Sequence, residues 1–351
     1  MVDIVKVLVP AILSFSVGIS FAPILIHFLK KYKVWKKQSG KRALDGTEAV
    51  EFNKLHKENE GRVPRMGGIV IWFSVFTVVL FIWLLSKVWP TAGTLKMDLV
   101  SRAQTWIPLF TMAIGALVGF ISDLFDISHK DRELKFYWRL LIVSVVAAFL
   151  GYWFYFKLGV DSVSVPFLGY VYLGVLIIPF FVLLNWVLYA SGVIDGIDGL
   201  SGGVFMFIFL AYSAIAFTQH QIDIAALSAT IAGALAAFLW FNIPPARFYM
   251  TETGSMPLTL TIATIAFMTD KMGEGVGLSV LPVVAALLFI TVASNVLQVF
   301  WKKVFKRKLF KIAPMHHHFE ALGWPGYKVT MRYWLLGIIF AVAGVLLSLI
   351  S

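Results

Sequence analysis

Hydrophobic residues along this 351-residue chain gather into long runs separated by short polar segments. The runs fall at about 5–29, 66–86, 105–122, 136–156, 167–188, 200–218, 222–242, 256–268, 278–301 and 332–350. A helix that crosses a bilayer takes roughly 20 apolar residues. The pattern therefore predicts an all-α, polytopic integral membrane protein with about ten transmembrane helices. The run at 256–268 is short. It is predicted to begin near Tyr249 and to lie in a protein-lined pocket rather than in lipid. The first run is expected to be retained: it is long, with no basic leader and no small-residue cleavage site. With no soluble segment, long low-complexity stretch or internal repeat, a single domain over 1–351 is expected.

Composition narrows the class. The chain is 59% hydrophobic and 14% charged, whereas soluble domains run nearer half and a quarter. A water-soluble enzyme, a disordered chain and a coiled coil are excluded. Cysteine is absent, which excludes disulfides, thiolate catalysis and Cys-ligated metals. A net charge of +11 can suit nucleic acid, but in a membrane protein basic residues accumulate in cytoplasmic loops. The expected partner is the lipid bilayer, and no nucleic acid. Loops 30–65, 123–135, 189–199, 243–255 and 302–331 hold twenty-two of the 30 Lys and Arg residues, against five in the alternate loops. That bias puts the first set in the cytoplasm and both termini outside.

The same loops carry nearly all of the unusual polar chemistry. Gly61-Arg62-Val63-Pro64-Arg65-Met66-Gly67-Gly68 sets two arginines in a tight approach to a helix, either to meet phosphate or to flank anionic headgroups. Asp123 and Asp126 stand three apart at a helix end. They share a face if the helix continues and suit Mg²⁺, or they belong to a solvated mixed-charge turn. The segment Ile194-Asp195-Gly196-Ile197-Asp198-Gly199 is the sharpest signal. Two carboxylates between hydrophobic helices, with no cation in the loop, are costly unless a metal, a ligand or another loop partners them. Loop 243–255 joins Pro244-Pro245, the aromatic pair Phe248-Tyr249, Glu252 and Thr253-Gly254-Ser255. An aromatic face can stack a base and a helix start can hold phosphate; an interfacial aromatic belt is the other reading. His316-His317-His318 is internal and lacks the zinc spacing His-Glu-x-x-His. Beside six basic residues from Lys302 to Lys311, it suits phosphate contact or proton transfer.

Pro314-Met315-His316-His317-His318-Phe319-Glu320, preceded by Lys308-Leu309-Phe310-Lys311, closely resembles the terminal signature of the bacterial phospho-N-acetylmuramoyl-pentapeptide transferases. These belong to the polyprenyl-phosphate N-acetylhexosamine-1-phosphate transferase superfamily. Asp195-Gly196-Ile197-Asp198-Gly199-Leu200 resembles the superfamily's aspartate loop. Met250 to Ser255 resembles its M-G-D-x-G-S turn, and Asn295-Val296-Leu297-Gln298 its glutamine stretch. The resemblance covers almost the whole chain. It implies transfer of phospho-MurNAc-pentapeptide from UDP-MurNAc-pentapeptide to undecaprenyl phosphate, releasing UMP and requiring Mg²⁺. It implies Asp123, Asp195, Asp198 and His317 as catalytic residues, and Glu252 with Asp123 as metal ligands. Arg65, Lys135, Tyr249, Gln298, His316 and His318 are implied as substrate-binding. A homodimer stays open. Four positions depart from the family pattern: Ser122 replaces the first of two adjacent aspartates, and Gly192 an asparagine. Arg62 to Gly68 replaces G-T-P-T-M-G-G, and Glu252 the metal-binding aspartate. A polyprenyl-phosphate GlcNAc-1-phosphate transferase, favoured by the P-R-M-G-G stretch, and a non-catalytic paralogue are the alternatives. A transporter is disfavoured because the acidic residues lie in loops on one face rather than on broken helices at mid-membrane.

Overall fold

The computed structural model describes residues 2–35, 63–100, 103–128, 136–270, 272 and 275–351. Most of loop 30–65 and the stretch 129–135, with Lys135, lie outside the described residues. The chain runs through α1 (Val2–Lys31), α2 (Ile69–Val88), the short α3 (Ala92–Met97), α4 (Trp106–Ser128) and α5 (Phe136–Phe156). A small hairpin, β1 (Ser162–Val165) and β2 (Gly169–Tyr172), precedes α6 (Ile177–Ala190). Then come α7 (Leu200–Thr218), α8 (Ile222–Asn242), α9 (Thr251–Met268), the single turn α10 (Leu281–Val284) and α11 (Ala286–Phe305). The short α12 (Met315–Ala321) and α13 (Gly326–Leu349) complete the chain.

The apolar runs are largely helical, and among the described residues nine segments are long and apolar enough to cross a membrane. This is an all-α multi-pass membrane protein. The tenth helix is α9, which begins at Thr251 and carries a threonine-rich sequence. Every residue from Thr253 to Met268 is buried, so α9 meets protein and not lipid, as its short run predicts. The fifth run, predicted over 167–188, differs. Its first residues form β2, because alternating Ser162-Val163-Ser164-Val165 favours an extended strand and the left-handed turn residues Phe167 and Gly169 fold the chain back.

The core forms around α8, with 83% of its most apolar window buried, against 22% for α11 and 22% for α13. α1 packs along α8 in parallel. Lys6 pairs with Asp223 at one end, and Ala11 and Ala237 lie against Gly233 and Gly18 further along. Between membrane helices, small residues permit backbone contact and dispersion supplies the attraction. The same device joins α4 to α9. A Cβ at Gly119 would lie 2.2 Å from the Glu252 carbonyl oxygen, and one at Gly115 would lie 2.6 Å from Pro257 Cα. This Gly-x-x-x-Gly stripe clamps the start of α9 beside the end of α4, which carries Asp123.

The far end of the bundle is less plain than its sequence suggests. Asp270, 1% exposed, accepts the N–H groups of Ser164 at 2.8 Å and Leu278 at 3.0 Å. It thereby fastens the hairpin to the turn after α9. The Tyr212 hydroxyl donates to the Gly277 carbonyl at 2.9 Å in the same cluster.

The α4–α9 contact has a direct test. Gly119→Ala forces its methyl onto the Glu252 carbonyl and costs about 1–3 kcal/mol, as overpacking does, lowering the thermal midpoint of the detergent-purified protein. Gly93→Ala, where the nearest atom to the new methyl is Thr91 Oγ1 at 3.8 Å, leaves that midpoint unchanged.

Candidate active site

One carboxylate organises the end of the bundle where α4 finishes and α9 starts. Asp123 is completely buried, and burial of an unpaired charge costs several kcal/mol. The fold meets that cost with four donors. Asp123 Oδ2 accepts the Thr251 hydroxyl at 2.5 Å, the Thr253 N–H at 2.8 Å and the Thr253 hydroxyl at 2.5 Å. Its Oδ1 accepts from Arg65 at 3.2 Å. Three of these donors belong to Thr251 and Thr253 in the first turn of α9, where the N–H groups have no partner inside the helix. Arg65 also reaches Asp126 at 3.4 Å. Its burial alone lowers its pKa, but Asp123 and Asp126 outweigh burial and the net shift is upward, so the guanidinium stays charged.

The line of charge continues. Arg139, in the first turn of α5, donates to Asp126 at 3.2 Å and to Glu252 at 3.2 Å, and it hydrogen-bonds the Tyr189 hydroxyl. Arg139 has no place in the sequence expectations. Its signal was a lone charged residue inside an apolar run, and such a residue marks function or a buried partner. The approach to α2 is stitched to the start of α9 by backbone bonds. Tyr249 N–H donates to the Pro64 carbonyl at 2.9 Å, Gly67 N–H to the Tyr249 carbonyl at 2.7 Å, and Met66 N–H to the Thr251 hydroxyl at 3.2 Å.

The aspartate loop docks on the same platform. Asp195 accepts from the Ser201 hydroxyl at 2.7 Å and from the Thr251 N–H at 2.8 Å. Asp198 accepts the Ala246 N–H at 2.9 Å. Thr330 and Trp334 of α13 hold the loop from below, donating to the carbonyls of Asp198 and Gly199 at 3.0 and 3.0 Å. The partners missing from the loop are thus backbone donors of loop 243–255. Tyr249, half-buried, stands in that loop between Asp198's contact at Ala246 and Asp195's contact at Thr251.

The histidine triplet lies on α12 against this loop. A Cβ at Gly196 would fall 2.5 Å from His317 Nε2 and 2.9 Å from His316 Nε2, so only glycine fits. His317 Nδ1 donates to Glu320 at 2.6 Å, which fixes the ring with Nε2 toward the aspartate loop. His316 is fully buried, with its ring 4.3 Å from that of His317. His318 turns the other way, as the 100° helical step requires, and its Nδ1 accepts the Lys311 N–H at 3.2 Å. Burial and then the Lys311 charge lower the His318 pKa. Gln298 holds loop 302–331 in place. Its Oε1 accepts the N–H groups of Leu309 at 3.1 Å and Phe310 at 2.9 Å, and its Nε2 donates to the Phe310 carbonyl at 3.1 Å. Its amide is therefore engaged with backbone, whereas the resemblance implies contact with substrate.

The metal expectation at Asp123 and Glu252 does not fit these residues as they stand. The Asp123 carboxylate has four donors, Glu252 accepts from Arg139, and Asp126 between them is held by Arg65 and Arg139. Among the described residues no group of three or more His, Asp or Glu is arranged to hold a metal ion. Mg²⁺ needs near-octahedral oxygen ligands at about 2.0–2.1 Å, and guanidinium nitrogens cannot supply them.

Comparison with known proteins agrees with the architecture. Residues 105–270 match the family Glycosyl transferase family 4. A phospho-N-acetylmuramoyl-pentapeptide-transferase of Geobacillus sp. (strain WCH70) is 31% identical over 339 residues, covering 95% of this chain and 95% of the relative. The enzymes of that name from Anoxybacillus flavithermus and Bacillus subtilis are each 29% identical, with 97% of both chains covered in each case. The whole span from α1 to α13 is shared with enzymes of one name, and the chain belongs to the phospho-N-acetylmuramoyl-pentapeptide-transferase family.

Proposed function

We propose that this protein transfers phospho-MurNAc-pentapeptide from UDP-MurNAc-pentapeptide to undecaprenyl phosphate and releases UMP, at the cytoplasmic face of the plasma membrane. The observation that carries this is the gathering of Arg65, Asp123, Asp195, Asp198, Glu252 and His317 from five separate segments around the start of α9 and the aspartate loop docked beside it. The basic bias of loops 30–65 and 302–331 supports the cytoplasmic assignment.

In the reaction, an oxygen of the lipid phosphate attacks the sugar-bearing phosphorus of the donor. The bond from that phosphorus to the bridging oxygen breaks, and UMP leaves with the electron pair. A phosphate monoester has a second pKa of about 6, so the acceptor is largely ionised at neutral pH. The protein's task is then positioning and neutralisation of charge on the transferring oxygens. Asp123 suits an organising role: to accept a proton from the lipid phosphate it would have to release a donor from Thr251, Thr253 or Arg65. Asp195 and Asp198 shape the nucleotide pocket by holding loop 243–255, with Tyr249 stacking on uracil. His317, fixed by Glu320, offers Nε2 to the donor. Lys135, His316 and His318 are assigned to phosphate contact by the family resemblance alone.

Two measurements check the proposal. Purified protein with undecaprenyl phosphate and UDP-MurNAc-pentapeptide releases UMP; turnover with UDP-N-acetylglucosamine alone reassigns the enzyme to another surface glycan. Asp195→Asn and Asp198→Asn each lower turnover at least tenfold, about 1.4 kcal/mol of barrier. Near-parental rates in both variants would remove the aspartate loop from catalysis.

A further inference from the structure

Five charged side chains form one unbroken line: Asp123, Arg65, Asp126, Arg139 and Glu252. The successive contacts are 3.2, 3.4, 3.2 and 3.2 Å. Signs alternate along the line, and each arginine bridges two carboxylates. All five are drawn away from water, with side-chain exposures from 0% at Asp123 to 24% at Glu252. A divalent ion between carboxylates places two positive charges at one point. Here two guanidinium groups place the same two charges at two points, fixed by covalent attachment to the approach to α2 and to α5.

We infer that Arg65 and Arg139 permanently occupy the cation position of this site, so that it works on a diphosphate without a divalent metal. The inference rests on the reading of the site as one for a sugar nucleotide.

Three features support it. First, two of the three carboxylates are taken up by donors: three meet Asp123 Oδ2, and an arginine meets each oxygen of Asp126. A metal between Asp123 and Asp126 would have to expel Arg65, and an expelled arginine would leave its own charge buried without a partner. Second, each arginine has one donor left unmatched. Arg65 Nε and Arg139 Nε are both buried, and neither has a hydrogen-bond partner among the described residues. A guanidinium carries five N–H donors in a planar fork that matches phosphate oxygens. Third, the neighbouring position offers a metal no charge. Ser122 is a neutral hydroxyl, 2% exposed, where a second carboxylate would have added ligand charge.

The test separates the metal from the nucleotide. Mn²⁺ serves as a paramagnetic probe of the detergent-purified full chain, read by electron paramagnetic resonance. The parent shows no saturable Mn²⁺ site, and neither does Arg65→Lys, which keeps the charge and disturbs the fold least. The double variant Arg65→Thr/Arg139→Gln frees three carboxylates and gains a site. In the second arm, UDP binds the parent with the same affinity in EDTA as in Mg²⁺. A stoichiometric Mn²⁺ site in the parent overturns the inference. So does a loss of UDP affinity of at least about tenfold, 1.4 kcal/mol, on adding EDTA. Absence of UDP binding under both conditions would sink the sugar-nucleotide reading, while the Mn²⁺ arm still decides the cation position by itself. If the double variant does not fold, the parent and Arg65→Lys titrations remain decisive.

Discussion

A carboxylate carried to the end of a membrane helix has to be neutralised where it stands, because neither lipid nor packed protein will solvate it. Asp123 meets that constraint by drawing the first turn of α9 and the Arg65 guanidinium onto itself. Everything else at this end of the bundle is positioned through those contacts. Thr251 hands the aspartate loop its N–H, Met66 joins Thr251, and Arg65 passes charge on to Asp126 and Arg139. The contact is possible only because Gly115 and Gly119 let α4 and α9 touch along their backbones. Backbone packing and charge pairing are therefore one device: loosen the first and Asp123 loses the second.

Helix count and placement were legible in the sequence because the runs were long and bounded by Gly, Pro and charged residues. The enclosed nature of α9 was legible too, since its run was too short to cross lipid. The hairpin before α6 was hidden because Ser-Val alternation leads directly into a hydrophobic stretch, and local pattern cannot separate a strand from the start of a helix. Asp270 was passed over for a related reason: a single acid in a short loop gives no sign that the N–H groups of Ser164 and Leu278 converge on it.

At the site, segments far apart in the sequence come together, and the pairings between them were not readable. Asp195 and Asp198 stood out because they had no local cation, but their partners proved to be N–H groups at Thr251 and Ala246, which every sequence supplies without advertisement. Arg139 stood alone inside an apolar run, and its reach to Asp126 and Glu252 depends on how α5 is set beside the ends of α4 and α9. Spacing along a chain reports which residues share a helix face. It carries no information on which helices meet, and the ion-pair line across the site depends entirely on that.

The Gln298 bracket on residues 309–310 has a mechanical meaning. It hangs the basic loop from α11, and Thr330 and Trp334 hang the aspartate loop from α13, and these are the two helices with the largest share of their surface outside the protein. The acidic line is built instead against α9, which is enclosed on all sides. The site thus has one wall rooted in an enclosed helix and another hung from helices that face the bilayer.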